Sequence, residues 1–240
     1  TRNFIKYHLM NALLLSSGFG TRLSSFIKNK PKCLVKVNKK TILDYWLKIL
    51  DTKYIDKIVI NTHYKHNKIF EFVNKHKLRN KIIVSHEEKI LGSIGAILNN
   101  KKILSKYSNF FVAHSDNLTS FNFLNFYKYH LKQKKLNTVM TFDTKNFKDS
   151  GIFEFKNKKI KYYQKSQIPV QGPANAAIYM FNKHILKYLV TNRKKIYDIS
   201  TDLIPRILDQ LNFYHNNDFM IDIGNKSNLL KARRLFKNDN

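Results

Sequence analysis

Apolar residues along the chain fall into two alternating kinds of pattern. Short unbroken runs, Ala12 to Leu15, Lys57 to Asn61, Lys81 to Ser85, Asn109 to Ala113 and Thr138 to Phe142, carry β-branched or aromatic residues and read as buried strands. Between them the apolar positions follow a helical period. Ile42, Tyr45, Trp46, Ile49 and Leu50 share one face of a helix over 42–50, and Ile69, Phe72 and Val73 share one face over 65–76. Strand and helix in alternation predict an α/β sandwich with a mainly parallel sheet, whose ligands bind outside the carboxyl ends of the strands. The later part reads differently. Gly151 to Phe155, Lys159 to Gln164 and Ala176 to Phe181 resemble strands of a mixed sheet, and helical segments are expected near 182–189 and 200–210.

Composition narrows the class. At 240 residues with 43% hydrophobic and 13% aromatic residues, and only seven glycines and four prolines, the chain has enough apolar mass for one core. No repeat or linker interrupts it. The expected organisation is one domain with two halves, 10–118 and 119–240, and an extension at 1–9. Arg2 and Lys6 ahead of Leu9 to Leu15 imitate a secretion signal, but the apolar run is short and Asn11 breaks it. No stretch approaches the length of a membrane span. A single cysteine, Cys33, excludes an internal disulfide framework or a cysteine zinc cluster and fits a reducing cytoplasm.

The formal charge of +28 attracts polyanions without saying which. Lys, Asn, Ile, Phe and Tyr are enriched together, as an AT-rich coding sequence would produce, and the basic residues lie in short turn-like clusters. An RNA-binding module without catalysis is the rival from another class. Lys161, Tyr162 and Tyr163 are its one local hint.

The informative chemistry follows the first strand. In Leu15-Ser16-Ser17-Gly18-Phe19-Gly20-Thr21-Arg22-Leu23 the glycines permit a sharp turn whose N–H groups can face an anion, and Arg22 adds a forked cation. No Gly-Lys-Ser/Thr follows, and a third glycine is missing, so this is neither a P-loop nor a dinucleotide fingerprint. Farther on, Pro31 lies between Lys30 and Lys32, and Leu34-Val35 follow. Asp116 ends another apolar run and Asp222 lies within Met220 to Ile223. Two such hard oxygen ligands from separate segments can hold one Mg²⁺ that bridges phosphates. Asn117, Asp218 and Glu87-Glu88 are alternatives. His63, His86 and His114 lack metal-ligand spacing and read as loop or core residues.

Gly-x-Gly-Thr-Arg-Leu followed by Pro-Lys-x-Leu resembles the signature of sugar-1-phosphate nucleotidylyltransferases, which join an NTP to a sugar phosphate and release pyrophosphate. The likeness continues through Leu91 to Ala96, Ala113 to Asn117, Gly151, Asn175 to Tyr179 and Ile221 to Gly224. It implies a Rossmann-like three-layer α/β/α sandwich with a mixed, mainly parallel central sheet, in which 10–118 is the nucleotide-binding half and 119–240 the sugar-phosphate-binding half. It further implies that Leu15, Ser16, Ser17, Gly18, Gly20, Thr21, Arg22, Gly92 and Ser93 bind nucleotide, and that Arg22, Lys32 and Asp116 are catalytic. Asp116 and Asp222 would hold Mg²⁺, and Asn117, Gly151, Lys165 and Asn175 would bind the acceptor. Gln164 stands where the family usually has glutamate, which puts one sugar-hydroxyl contact in question. Asn225-Lys226-Ser227 and Ser17 also depart from the usual pattern. Within the family, Asn61 to Tyr64, Asp116-Asn117 and Asp222 to Gly224 look closest to the mannose-1-phosphate guanylyltransferase-like branch. GTP with mannose 1-phosphate or a related hexose or heptose phosphate is therefore the first expectation. A cytidylyltransferase acting on phosphocholine or another non-sugar phosphate is the alternative. A homo-oligomer is compatible with either.

Overall fold

The computed structural model describes residues 8–23, 27, 30–157, 159–189 and 196–236, with the Arg22 side chain left out. Most of the expected extension and the last four residues therefore lie outside the described part. The first strand, β1 (Met10–Leu15), is central. It pairs in parallel with β4 (Ile55–Thr62) and β6 (Asn109–His114), and β4 pairs in parallel with β5 (Ile82–His86). Beyond β6 the direction reverses. β11 (Ala174–Asn182) runs antiparallel to β6, to β8 (Asn137–Phe142) and to β9 (Gly151–Lys156); β10 (Lys159–Gln164) closes that edge, and β12 (Leu211–His215) lies parallel to β8. The nine-stranded mixed sheet thus runs unbroken across residue 118.

Strand alternation feeds two apolar layers, one on each face. From β1, Ala12 and Leu14 join Trp46, Ile69, Phe126 and Leu229, while Leu13 joins Ile94, Ile97, Ile185 and Leu203 on the other face. The first layer is supplied by α1 (Ile42–Leu50), α2 (His66–Asn74), α5 (Phe123–Lys132) and α6 (Lys226–Leu235). Across the sheet lie α3 (Gly92–Asn99), α4 (Lys101–Leu104) and short turns at 183–187 and 199–210. This is the α/β sandwich that the pattern predicts, in the three-layer form that the resemblance implies. The helix α1 begins where expected because Thr41 and Asp44 form a reciprocal capping box.

The two helical expectations in the second half need correction. Residues 183–187 form a 3₁₀ helix and 199–203 one π turn, followed by 3₁₀ turns at 204–206 and 208–210. Pro205 cannot donate a backbone N–H, so a regular helix cannot run through it. Two small ribbons complete the fold: β2 (Lys36–Val37) with β3 (Lys40–Thr41), and β7 (Asn117–Thr119) with β13 (Met220–Asp222). The second ribbon positions the site.

Candidate active site

The carboxyl ends of β1, β4 and β6 are tied together. The Ser16 amide donates to the Asn61 side-chain oxygen at 2.8 Å, the Ser115 amide to the Leu15 carbonyl at 3.0 Å, and the Ser16 and Ser115 hydroxyls lie 2.7 Å apart. From this anchored end the chain enters the glycine turn. Gly20 takes a positive φ of 67°, and its carbonyl accepts from the Leu23 amide. An added Cβ at Gly20 would lie 2.9 Å from Lys32 Cγ, so the turn rests on the stem of that lysine. Pro31 sets the entry into the 3₁₀ turn Lys32–Leu34, which holds Lys32 beneath.

Lys32 Nζ reaches Asp116 Oδ2 at 2.6 Å. Burial pushes the Asp116 carboxyl up, but the Lys32 ammonium and the neighbouring His114 outweigh it and hold the carboxyl below its ordinary value. The carboxylate therefore stays ionised at neutral pH. Asp222 arrives from far along the chain: it stands opposite Asn117 in the β7–β13 ribbon, and the Ile223 amide donates to the Asp116 carbonyl at 3.0 Å. Asp222 thus ends one strand of a ribbon whose other strand begins one residue after Asp116, and only Asp116 of the two lines the cleft described next. Among the described residues, no cluster of three or more His, Cys, Asp or Glu side chains could hold a metal. Two carboxylates are nonetheless a donor set that suits a cation which keeps waters and takes its other ligands from phosphate.

A cleft of about 180 Å³ opens between these parts, lined by Leu15 to Gly18, Lys32, Gly92, Ser93 and His114 to Asp116. Gly92 begins α3 at φ 74°, a left-handed conformation that suits glycine, and an added Cβ would also overlap the Tyr197 carbonyl oxygen. Ser93 is not simply a surface hydroxyl. It donates to Asp198 Oδ2 at 2.8 Å and accepts from the Ile199 amide at 2.7 Å. Gly95 is tight only against Leu91 Cβ, so its lack of a side chain serves the start of α3. Thr21 is exposed at the first position of the 3₁₀ turn 21–23.

Asp198 lines the same cleft and was missed from sequence. It caps the π turn by accepting from the Ser200 amide at 2.8 Å, and a cap is the one reading its sequence context invites. His114, expected as a loop or core residue, also lines the cleft, with a ring Nε2 that is buried without a hydrogen-bond partner. Glu87 is only 2% exposed and accepts from Asn61 Nδ2 at 2.8 Å, which ties the 86–92 loop to the glycine turn through Asn61. Burial raises its carboxyl above the ordinary value, with the Asn61 hydrogen bond opposing.

The expected acceptor residues separate into two groups. Gly151 and Asn175 come together: a Cβ at Gly151 would overlap the Tyr162 hydroxyl, which donates to Gln164 Oε1 at 2.8 Å and accepts from Asn175 Nδ2 at 3.2 Å. Asn175 also donates to the Tyr179 hydroxyl at 3.0 Å. Burial raises the Tyr162 and Tyr179 phenols, so both are neutral donors. Through Ser200 and Asp198 this polar wall continues to the cleft. Lys165 follows Gln164 in a left-handed turn, its amide bonded to the Ser150 carbonyl and its side chain exposed. Asn117 differs from the others. It is 6% exposed and donates to the Ala176 carbonyl, which makes it a tie between β7 and β11. The tyrosines noted for nucleic acid are tied down as well, Tyr163 through Glu154.

The nucleotidyl transferase family pattern matches residues 11–238, nearly the whole chain. The chain belongs to the nucleotidyl transferase family. Among similar curated proteins, mannose-1-phosphate guanylyltransferase catalytic subunit beta of Dictyostelium discoideum is 27% identical over 236 residues, 95% of this chain and 65% of that protein. The chain therefore spans less than two thirds of that relative's length. D-glycero-alpha-D-manno-heptose 1-phosphate guanylyltransferase of Aneurinibacillus thermoaerophilus is 25% identical, covering 94% of this chain and 97% of that protein. In fold, the chain is similar to a proposed glucose-1-phosphate thymidylyltransferase from Bacillus anthracis, solved with a sucrose. The TM-score is 0.86 at 20% identity over 96% of each chain, a likeness of fold alone. Among the described residues, no helix is long and apolar enough to cross a membrane.

Proposed function

We propose that this member of the nucleotidyl transferase family joins an NTP to a sugar 1-phosphate, with release of pyrophosphate. The favoured pair is GTP with mannose 1-phosphate or a related hexose or heptose phosphate. The observation that carries this reading is the Lys32–Asp116 pair beneath the glycine turn, with Asp222 next to Ile223, whose amide donates to the Asp116 carbonyl. The names of the guanylyltransferase relatives support the choice of base and sugar.

In this mechanism an oxygen of the sugar phosphate attacks the α-phosphorus, a new phosphoanhydride forms and the bond to the β-phosphate breaks. Two polyanions must meet, so catalysis is positioning and charge neutralisation rather than nucleophilic chemistry by the protein. The N–H groups of the turn at 17–20 and Arg22 receive the triphosphate, and Lys32 balances charge at the transferring phosphate. Mg²⁺ held by Asp116 and Asp222 would neutralise phosphate oxygens. Gly151, Asn175 and Lys165 receive the acceptor, with Tyr162 and Tyr179 holding the Asn175 and Gln164 side chains of that wall in place.

The test is a matrix of the four NTPs against sugar and non-sugar phosphate acceptors, read as pyrophosphate release. GTP with a hexose or heptose 1-phosphate is the expected best pair, and preference for CTP with phosphocholine would redirect the assignment. Asp116→Asn and Asp222→Asn should each lose on the order of a hundredfold or more in rate while retaining the fold. Near-normal turnover in both variants would refute the assignment.

A further inference from the structure

The cleft holds a contact whose two members need different partners during the proposed reaction. Lys32 must face phosphate and Asp116 must face a divalent cation, yet they face each other at 2.6 Å. Neither is a loose surface group. The Lys32 side chain is 13% exposed and that of Asp116 30%, and the lysine stem is pinned under Gly20. We propose that Lys32 is a built-in counter-cation that occupies Asp116 until a polyphosphate draws it away, so that divalent cation and nucleotide load together. This rests on the functional reading above.

The physical case is a competition. A bare divalent cation at Asp116 would sit beside an ammonium group and must first displace it. The displaced ammonium would then be left without a partner in a poorly solvated place, which is costly. Little compensates: Mg²⁺ and similar ions give up water reluctantly, and the described residues supply no cluster of three acidic or imidazole ligands. A triphosphate removes both obstacles at once. Its oxygens accept from Lys32 and complete the coordination of the cation, so each ligand improves the affinity of the other by the same factor.

Removing the ammonium should therefore act in opposite directions on the two ligands. Bare Mn²⁺, titrated by the loss of its free electron-spin signal, should bind Lys32→Met about tenfold or more tighter than the wild type. The gain should vanish in Lys32→Met/Asp116→Asn. Preformed Mn²⁺–tripolyphosphate, followed by water-proton relaxation, should bind Lys32→Met about tenfold or more weaker than the wild type. A general loosening of the fold would weaken both. Should Lys32→Met not fold, Lys32→Gln serves the same comparison. Bare Mn²⁺ binding that is equal in wild type and variant, or that survives Asp116→Asn, overturns the proposal. Synthesis of a sugar nucleotide by a wild type that shows no such crossing would sink the exchange and leave the enzymatic reading standing. The crossing in a protein that uses no NTP would do the reverse.

Discussion

Replacing Gly92 by alanine tests how the cleft is held in shape. Gly92 has φ 74°, and its new Cβ would lie 2.4 Å from the Tyr197 carbonyl oxygen and 2.6 Å from Ile196 Cγ2. The left-handed conformation costs an alanine roughly 1–2 kcal/mol. The overlap is with backbone, which cannot rotate aside, and overpacking of that kind adds about 1–3 kcal/mol. Against this, alanine restricts the unfolded chain, which returns about 0.4–1 kcal/mol. The expected net destabilisation is about 1–4.6 kcal/mol, or a fall in Tm of roughly 2–18 °C for a chain of this size. Urea unfolding followed by fluorescence of the buried, single Trp46 would measure it. A functional consequence accompanies the loss. The Tyr197 carbonyl also accepts from the Ile94 amide, so moving it shifts Asp198, one residue on, and the KM for substrate should rise more than kcat falls. Gly18→Ala is the control for stability, because nothing lies within 4 Å of a Cβ there. It should stay within about 0.5 kcal/mol of the wild type. A Gly92→Ala protein as stable as Gly18→Ala would refute the reasoning.

Two other outcomes follow from buried groups. His130 is 5% exposed, its ring bonded to the Thr138 hydroxyl, and burial lowers its pKa from 6.5 to about 4. The unfolded chain takes up the proton first as pH falls, so stability is lost between those two values. That loss should approach about 3 kcal/mol at the bottom of the window. His130→Gln should remove this share of the acid dependence in urea unfolding measured across that range, and an unchanged slope would count against the burial argument. Cys33 is 2% exposed and burial pushes its thiol up to about 12. In the native protein it should resist a chromogenic disulfide reagent and react only as fast as the chain opens; rapid labelling without unfolding would contradict its placement.

Residue order alone makes the first half of the fold legible. Buried parallel strands are continuous apolar runs, and Ala12 to Leu15 or Asn109 to Ala113 can hardly be read otherwise. The helix at 42–50 carries both its period and its cap in neighbouring residues. The glycine turn and the Pro31–Lys32 segment are equally local, since turn chemistry depends on residues a few positions apart. At 182–189 and 200–210 the apolar positions satisfy a helical period, yet the chain forms short 3₁₀ and π turns, and Pro205 interrupts the second segment.

Other features exist only once the chain has folded. Lys32 and Asp116 are 84 residues apart in sequence and 2.6 Å apart in space. Asp198 looks like an ordinary cap until Ser93, 105 residues earlier, donates to it from the wall of the cleft. Asn117 sits in a motif that suggests substrate contact, and only the fold shows that its amide also donates to the Ala176 carbonyl, 59 residues on. The division has a physical cause. Strand, helix and turn preferences are decided by dihedral angles and the spacing of apolar residues, which act over a few positions. The partner of a charged or polar side chain is decided by which strand ends the sheet order brings together, and parallel crossovers make those ends distant in sequence.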